Sequence, residues 1–227
     1  MVHCILMPID DRDWDEVMEV QFRAFSKERF CELVRGGNTI ENRAKCKEQY
    51  ADQRTKQREV IWLKAISASD PRKKILGVAK YTICATYIPR TPVDIDPSSF
   101  VWLEDPEDRD IAALILQDVV DRLARHIKGP HILLGSLFVD PEYRGQGIAT
   151  RLVKWGVGLA DHMMLPVWLE ASTTAHSLYV RQGFHEKIRC RLTMGKWDIE
   201  YSIMKKSPKT THFELDEAHT GIKQNGC

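Results

Sequence analysis

The 227-residue sequence predicts one α/β domain built around a mixed sheet, and three observations lead to that prediction. Strand-like segments alternate with segments of helical spacing, in the order strand, helices, hairpin, helix, strand, helix, strand, helix and two strands. Hydrophobic residues make up 43% of the chain, which allows a sizeable core. The segment 206–227 is polar and without periodicity, so we expect one domain over residues 1–205 and a flexible C-terminal tail over 206–227.

The first quarter of the chain predicts a short strand followed by helices. A strand is expected at 3–8. Asp13 and Glu16 resemble a capping box and predict that an amphipathic helix begins at 13 and continues to about 25. The helical pattern over 27–35 ends at Gly36 and Gly37, and the charged segment 39–57 is typical of a solvated helix.

The remainder predicts a hairpin and then an alternation of strands and helices. Residues 59–67 and 74–84 are rich in β-forming residues and are separated by a polar turn. Residues 85–107 contain four prolines and predict a long loop, of the kind that often serves as a lid or binding loop. Helices are then expected at 107–127, 146–162 and 174–182, and strands at 131–139, 166–171, 185–194 and 198–205.

Charge and cysteine usage exclude several classes of function. The formal net charge of +1 gives no general electrostatic reason to expect nucleic acid or an anionic membrane as a partner. No apolar run approaches the ~20 residues of a membrane span, and no secretory signal is recognisable. The six cysteines fit no zinc spacing, so we expect reduced thiols, no metal site and a cytoplasmic protein.

The densest pattern lies between the strand ending at Val139 and the helix that follows it. Two glycines, Gly145 and Gly147, lead directly into an amphipathic helix. Glycines allow a tight turn and a close approach of the backbone to a ligand, while the first turn of a helix presents unpaired N–H groups and the positive end of its dipole. Such a site suits a phosphate group, although an ordinary turn is the alternative. Neither a Walker loop nor a Gly-x-Gly-x-x-Gly pattern is present.

A second motif downstream makes the pattern specific. The sequence Arg144-x-x-Gly147-x-Ala149 resembles the Arg/Gln-x-x-Gly-x-Gly/Ala signature of the GNAT superfamily of acetyl-CoA-dependent N-acetyltransferases. The segment 175–184, with Leu178, Tyr179, Gly183 and Phe184, resembles that family's Ala-x-x-Leu-Tyr-x-x-x-Gly-Phe motif. The resemblance is strong over 131–190 and weaker over 59–84. It implies a mostly antiparallel sheet flanked by helices, in which the fourth and fifth strands splay apart.

The resemblance also implies where acetyl-CoA would bind. Its pantetheine arm and acetyl carbonyl would meet the backbone of three residues of the fourth strand, namely Leu137, Phe138 and Val139. Its pyrophosphate would meet the loop formed by Arg144, Gly145, Gln146, Gly147, Ile148, Ala149 and Thr150. One position departs from the family pattern, because Ser172 stands where relatives often carry an asparagine that bonds the pantetheine amide.

Tyr179 matches the family's tyrosine beside the cofactor sulfur. Direct transfer from a thioester to an amine expels a thiolate, and a neutral phenol can donate a proton or hydrogen bond to it. The alternative is a core tyrosine. The general base is less defined, because Leu133 occupies the position of the glutamate that some relatives carry on the fourth strand. We expect Glu170 to be the better candidate and His131 the weaker one.

The acceptor is expected between the early helices and the late hairpin, in regions 25–57 and 191–200, with 85–107 alongside. These regions mix aromatic residues with acids: Phe25, Phe30, Tyr87, Phe100, Trp102, Trp197, Asp94, Asp96 and Glu104. The leading hypothesis is acetylation of a small-molecule amine, in the manner of fungal-type members of the superfamily, by a monomer or homodimer. A protein lysine or N-terminal acetyltransferase and a non-catalytic CoA-binding module are the alternatives.

Overall fold

The computed structural model describes residues 3–87 and 94–209. This part of the chain forms seven strands, β1 (Cys4–Pro8), β2 (Val60–Ser67), β3 (Ile75–Cys84), β4 (His131–Val139), β5 (Val167–Ser172), β6 (His185–Met194) and β7 (Trp197–Lys206). Its helices are α1 (Trp14–Ala24), α2 (Arg29–Arg35), α3 (Ile40–Lys56), α4 (Pro106–His126), α5 (Ile148–Met163) and α6 (Thr173–Arg181). The predicted order of elements is confirmed. Residues 88–93 of the predicted loop and 210–227 of the predicted tail lie outside the described residues.

The strands form one sheet in the order β1-β2-β3-β4-β5-β7-β6. Every neighbouring pair is antiparallel except β4 and β5, which run parallel. Their ladder joins only residues 132–134 to 167–169. Beyond Leu134 and Leu169 the two strands separate, and we call this opening the splay. The predicted fold class, a mixed and mostly antiparallel sheet with splayed fourth and fifth strands flanked by helices, is confirmed.

Helices cover both faces of the sheet and divide it into a front and a back. On the back face, α5 and α6 bury one apolar cluster against alternate strand residues such as Ala79, Leu134 and Leu169. On the front face, α1 and α3 pack over β2 and β3, while α2 and α4 pack over β5 and β7. Because side chains alternate along a strand, Lys80 and Glu170 lie on the front face. None of the helices in the described ranges is long and apolar enough to cross a membrane.

The start of α1 differs from the prediction. The capping box forms three residues earlier, between Asp10 and Asp13, and it caps a short 3-10 turn that leads into the helix. The Asp13 carboxylate accepts the Asp10 N–H at 2.6 Å, whereas Glu16 accepts the N–H of Ile75 on β3 at 2.7 Å. Glu16 therefore fastens the helix to the sheet and caps nothing.

Candidate active site

A bulge in β4 lies next to the splay. The register with β3 passes from Tyr81 opposite Leu134 to Lys80 opposite Ser136, so Gly135 is an extra residue on β4. After it, residues 136–139 pair with β3 on one side only, because β5 has diverged. This edge includes Leu137, Phe138 and Val139, predicted to bind the pantetheine arm. An open strand edge presents backbone donors and acceptors to an extended ligand.

The predicted phosphate loop has the geometry of an anion cradle. Gly145 and Gly147 have φ of +74° and +82°, and Gly147 is the N-cap of α5. No heavy atom beyond the chain neighbours lies within 4 Å of where a Cβ on either glycine would stand. Within the described residues, no group accepts from the N–H groups of 145–150, as expected before and within the first turn of a helix. These N–H groups therefore converge on open space at the positive end of α5.

Two side chains beside the loop connect it to α1 and to the end of β4. The Arg144 guanidinium donates to the carbonyl of Ala24 at 2.6 Å and to that of Val139 at 3.4 Å. The Asp140 carboxylate is 1% exposed and pairs with Arg23 at 2.7 Å. Arg144 is thus positioned within the loop as predicted, but its side chain joins α1 to the end of β4. The donors left for an anion are those of the backbone.

Tyr179 projects from α6 into the cluster under the back face of the sheet. Its ring is 4% exposed and meets Phe184 edge-on, with ring centroids 5.7 Å apart. Burial raises the pKa of the Tyr179 phenol well above its ordinary value of 10, so the hydroxyl keeps its proton. Within the described residues, no group forms a hydrogen bond with that hydroxyl. It therefore combines a core position with a hydroxyl free to donate to a ligand.

The other predicted site residues lie around the splay. Ser172 ends β5 and is the N-cap of α6, yet its side chain makes no capping bond. Glu170 is the first residue of β5 beyond the parallel ladder and is partly buried. His131 lies at the beginning of β4, where its Nδ1 is 2.8 Å from the Gly129 carbonyl oxygen. Leu133 is within the ladder opposite Trp168, so the position of a fourth-strand glutamate is apolar here.

A cavity of about 770 Å³ opens on the front face beside the bulge. Its walls come from α2, α3 and residues 99–102, and its floor includes Lys80, Gly135 and Ser136. A second cavity of about 210 Å³ lies between α1 and α2, and both include Arg35. Ser136 Oγ in the first cavity and both polar atoms of the Gln21 side chain in the second are buried with no hydrogen-bond partner among the described residues. Orphaned polar atoms facing a cavity are available to a ligand.

The cavities agree with only part of the predicted acceptor region. Trp102 and the segment around it line the larger cavity, and Phe25 lines the smaller one, as the expectation for 25–57 and 85–107 requires. Trp197 is buried in the core under α4, and the late hairpin 191–200 lines neither cavity. Asp94, Asp96 and Glu104 line neither cavity. Acids from the long loop therefore do not form these walls.

Lys80, Arg35 and Ser136 were not singled out by the sequence analysis. Lys80 is the only charged residue in the apolar run 75–84, and a lone charge in a half-buried strand is a recognisable signal. Burial, together with the positive charge of Arg35, lowers the pKa of Lys80 from its ordinary value of 10.5 to about 8. Arg35 and Ser136 carry no comparable signal in the sequence, because only the tertiary fold places them in the lining of the larger cavity.

Residues 79–184, which contain the splay, the phosphate loop and Tyr179, match the acetyltransferase (GNAT) family. No curated protein matches the sequence.

Solved acetyltransferase structures share the fold over most of the chain. Arylalkylamine N-acetyltransferase 2 from Aedes aegypti is similar with a TM-score of 0.62 and 17% identity, covering 91% of this chain and 100% of that one. The histone acetyltransferase HPA2 and related acetyltransferase from Corynebacterium glutamicum gives 0.59 and 21%, covering 94% and 100%. A phosphinothricin acetyltransferase from Sinorhizobium meliloti in complex with AcCoA gives 0.55 and 14%, covering 90% and 88%. At these identities the likeness is one of fold.

Proposed function

We propose that this protein transfers an acetyl group from acetyl-CoA directly to the amine of a small molecule, with Tyr179 as general acid. The observation that carries the proposal is the open β4 edge over 136–139, which leads into a loop whose backbone N–H groups from 145 to 150 are without acceptors. The pantetheine arm of acetyl-CoA would lie along the strand edge, and the pyrophosphate at the end of that arm would reach the loop. The Sinorhizobium relative of the same fold is a complex with AcCoA.

The residues present fit that cosubstrate. A Cβ at Gly145 or Gly147 would project into the space left open there, which makes room for phosphate oxygens close to the backbone. Ser172 has a hydroxyl with no capping bond and can donate to an amide oxygen of the arm. Bound acetyl-CoA supplies an acetyl group already activated as a thioester.

Tyr179 has the properties that a proton donor to the departing sulfur needs. Its hydroxyl is protonated throughout the neutral range because burial raises its pKa. A thiolate whose conjugate acid has a pKa of about 8.5 is stabilised by a hydrogen bond from such a phenol. Because the phenol is the weaker acid, Tyr179 would assist by donating its hydrogen to the sulfur while the C–S bond breaks, when the sulfur is most basic.

We further propose that Glu170 accepts the proton lost by the amine. It lies at the opening of the splay on the front face, which also carries the larger cavity, whereas Tyr179 lies behind the sheet. The amine would then lose its proton on one side of the sheet while the sulfur receives one on the other. His131, at the far end of the β4 ladder, is less suitable.

The larger cavity supports a small-molecule acceptor over a peptide. Ser99–Trp102 form one wall, and the Trp102 indole N–H donates to the Leu33 carbonyl at 2.9 Å, which holds this wall against α2. A protein acetyltransferase would need an open groove at this place.

Acetyl-CoA consumption should be measured across a panel of small amines, a lysine peptide and free N-terminal peptides, with coenzyme A binding measured separately. Acetylation of small amines, reduced about 100-fold or more in Tyr179→Phe, is the expected result. Turnover of peptides alone would replace the small-molecule assignment. Tight coenzyme A binding without any acetylation would instead identify a CoA-binding module.

A further inference from the structure

Two cations without a counter-charge line the larger cavity, Lys80 on its floor and Arg35 on the α2 wall. Arg35 is the last residue of α2, and Lys80 is in the middle of β3. Within residues 3–87 and 94–209, no carboxylate lies within salt-bridge distance of either side chain. Both side chains are partly buried, and a cation removed from water is normally paired, so these two are available to an anion.

The other charges of the cavity balance one another on its α3 wall. They all come from α3, and they are Lys45, Glu48, Asp52 and Lys56. Lys56 pairs with Asp52 at 2.7 Å, and the Lys45 ammonium lies 4.9 Å from the centre of the Trp102 ring. Two cations and two carboxylates cancel there. The net positive charge of the cavity therefore comes from Lys80 and Arg35.

Arg35 is fixed in place by neutral groups. Its Nε donates to the Tyr50 hydroxyl at 3.1 Å, one Nη lies 3.2 Å from the Cys31 sulfur, and the guanidinium stacks 5.5 Å from the Phe25 ring centre. These contacts orient the planar group without neutralising it. A guanidinium has five N–H donors in a fork that matches a carboxylate, and the second Nη has no bond to any described group.

Lys80 and Ser136 face the cavity side by side. They are register partners on β3 and β4. A Cβ on Gly135 would meet only the Lys80 Cε, at 4.0 Å, so the lysine stem passes over the bulge. Its ammonium stacks 5.6 Å from the Trp62 ring centre, and the neighbouring Ser136 Oγ is buried without a partner. An anion beside the ammonium would also meet a free hydroxyl donor.

We propose that the acceptor amine carries a carboxylate, and that this carboxylate binds between Lys80 and Arg35 with a hydrogen bond from Ser136. The inference rests on the proposed function and names its substrate class as amino acids and related amino-carboxylates. Charge-assisted and bidentate hydrogen bonds are the strongest that a protein forms to such a group. Ser136 lies two residues past the end of the β4–β5 ladder, so the rest of the acceptor extends towards the splay.

Matched amines test this directly on the full-length protein. Phenylalanine and 2-phenylethylamine share a ring and an amine and differ by the carboxylate, so their kcat/KM values should be compared in the wild type, Lys80→Met and Ser136→Ala. We expect a preference of at least about tenfold for phenylalanine in the wild type. Lys80→Met should abolish it through KM, while Ser136→Ala should reduce it about threefold. The variant Lys45→Met on the α3 wall should leave the preference within about twofold.

A measurement without turnover separates this inference from the proposed function. N-acetylphenylalanine should raise the melting temperature of the wild type but not of Lys80→Met, and N-acetyl-2-phenylethylamine should raise neither. If carboxylate binding depends on Lys80 but no amine is acetylated, the enzyme assignment fails and the anion site stands. If neutral amines are acetylated as well as carboxylated ones, or if the preference survives Lys80→Met, the anion site is wrong. No acetylation and no carboxylate-dependent stabilisation would overturn both.

Discussion

The ring of Tyr81 occupies the space that a side chain on Gly156 would need. A Cβ on Gly156 would stand 2.3 Å from two atoms of that ring, and Tyr81 is only 1% exposed. The phenol hydroxyl also donates to the Leu152 carbonyl of the same helix at 3.0 Å. This contact sets how closely α5, which carries the phosphate loop at its N-terminus, approaches β3.

Gly156→Ala should therefore destabilise the protein despite the better helix propensity of alanine. Propensity favours alanine by up to about 1 kcal/mol, whereas overpacking of a filled core costs about 1–3 kcal/mol or more. We expect a net loss of about 1–2 kcal/mol in the free energy of unfolding, measured by denaturant titration. Gly158→Ala is the matched control, because nothing lies within 4 Å of a Cβ at that position of α5. It should be neutral or stabilising, and equal losses at both sites would contradict the packing argument.

Tyr179→Phe and Tyr81→Phe should have opposite effects. The Tyr179 hydroxyl has no partner among the described residues, so its removal should change the free energy of unfolding by less than about 0.5 kcal/mol while lowering kcat about 100-fold. The Tyr81 hydroxyl has a partner, so its removal should cost about 1 kcal/mol of stability and leave kcat within about threefold. A Tyr179→Phe variant with full kcat at every pH would exclude the general-acid role.

The pH dependence of kcat provides a second check on Tyr179. Burial raises the pKa of its phenol above the ordinary value of 10, so the group remains protonated through the accessible alkaline range. We therefore expect that ionisation of Tyr179 causes no fall in kcat between pH 8 and about 10, so that the wild type and Tyr179→Phe have pH profiles of the same shape in this range. An alkaline limb in the wild type that this variant removes would mean that Tyr179 ionises at a much lower pH.

The glycine turn over 144–150 follows from a local sequence pattern, whereas the splay and the position of Tyr179 were implied by the resemblance of two motifs to a known family. A strand, a turn with Gly145 and Gly147, and an amphipathic helix follow one another within a short segment, and this order sets the backbone geometry there. Contacts between distant segments have no such pattern. The Arg144 guanidinium reaches the carbonyl of Ala24, 120 residues earlier in the chain, and nothing in the sequence around Arg144 indicates that partner.

The acceptor side of the site was the part that sequence reasoning predicted least well. Aromatic residues were expected in the cleft, but Trp197 fills the core instead, because large apolar side chains contribute most free energy when fully buried. Arg35 and Lys80 come from α2 and β3, and only the packing of α2 and α3 over the sheet brings them to the same cavity. Charges that meet through tertiary packing leave no periodic signal.

Gly147→Ala should weaken coenzyme A binding. The N-cap of α5 has φ of +82°, where a residue with a Cβ is strained by about 1–2 kcal/mol. Relief of that strain would rotate the N–H groups of the first turn away from the cradle. We expect Kd for coenzyme A, measured by calorimetry, to rise about tenfold or more. Gly129→Ala is the control, since its φ is not positive and a Cβ there meets nothing. Equal Kd values for the two variants would mean that the loop does not hold the phosphates.

Lys80→Met should stabilise the protein near neutral pH and lose that advantage in alkali. The pKa of Lys80 is about 8 in the folded protein against an ordinary value of 10.5. The unfolded chain therefore binds more protons between these values, and wild-type stability rises with pH there, whereas below pH 8 the full cost of the unpaired charge is present. Methionine removes that cost. The free energy of unfolding, measured by denaturant titration, should therefore be about 1–3 kcal/mol higher for the variant at pH 7 and equal to that of the wild type near pH 10.5.

Lys64→Met is the matched control on β2. Lys64 pairs with Asp13 and both side chains are 13% exposed, so this change should destabilise the protein instead. A Lys80→Met variant that is less stable than the wild type at pH 7 would show that the Lys80 charge is compensated within the protein.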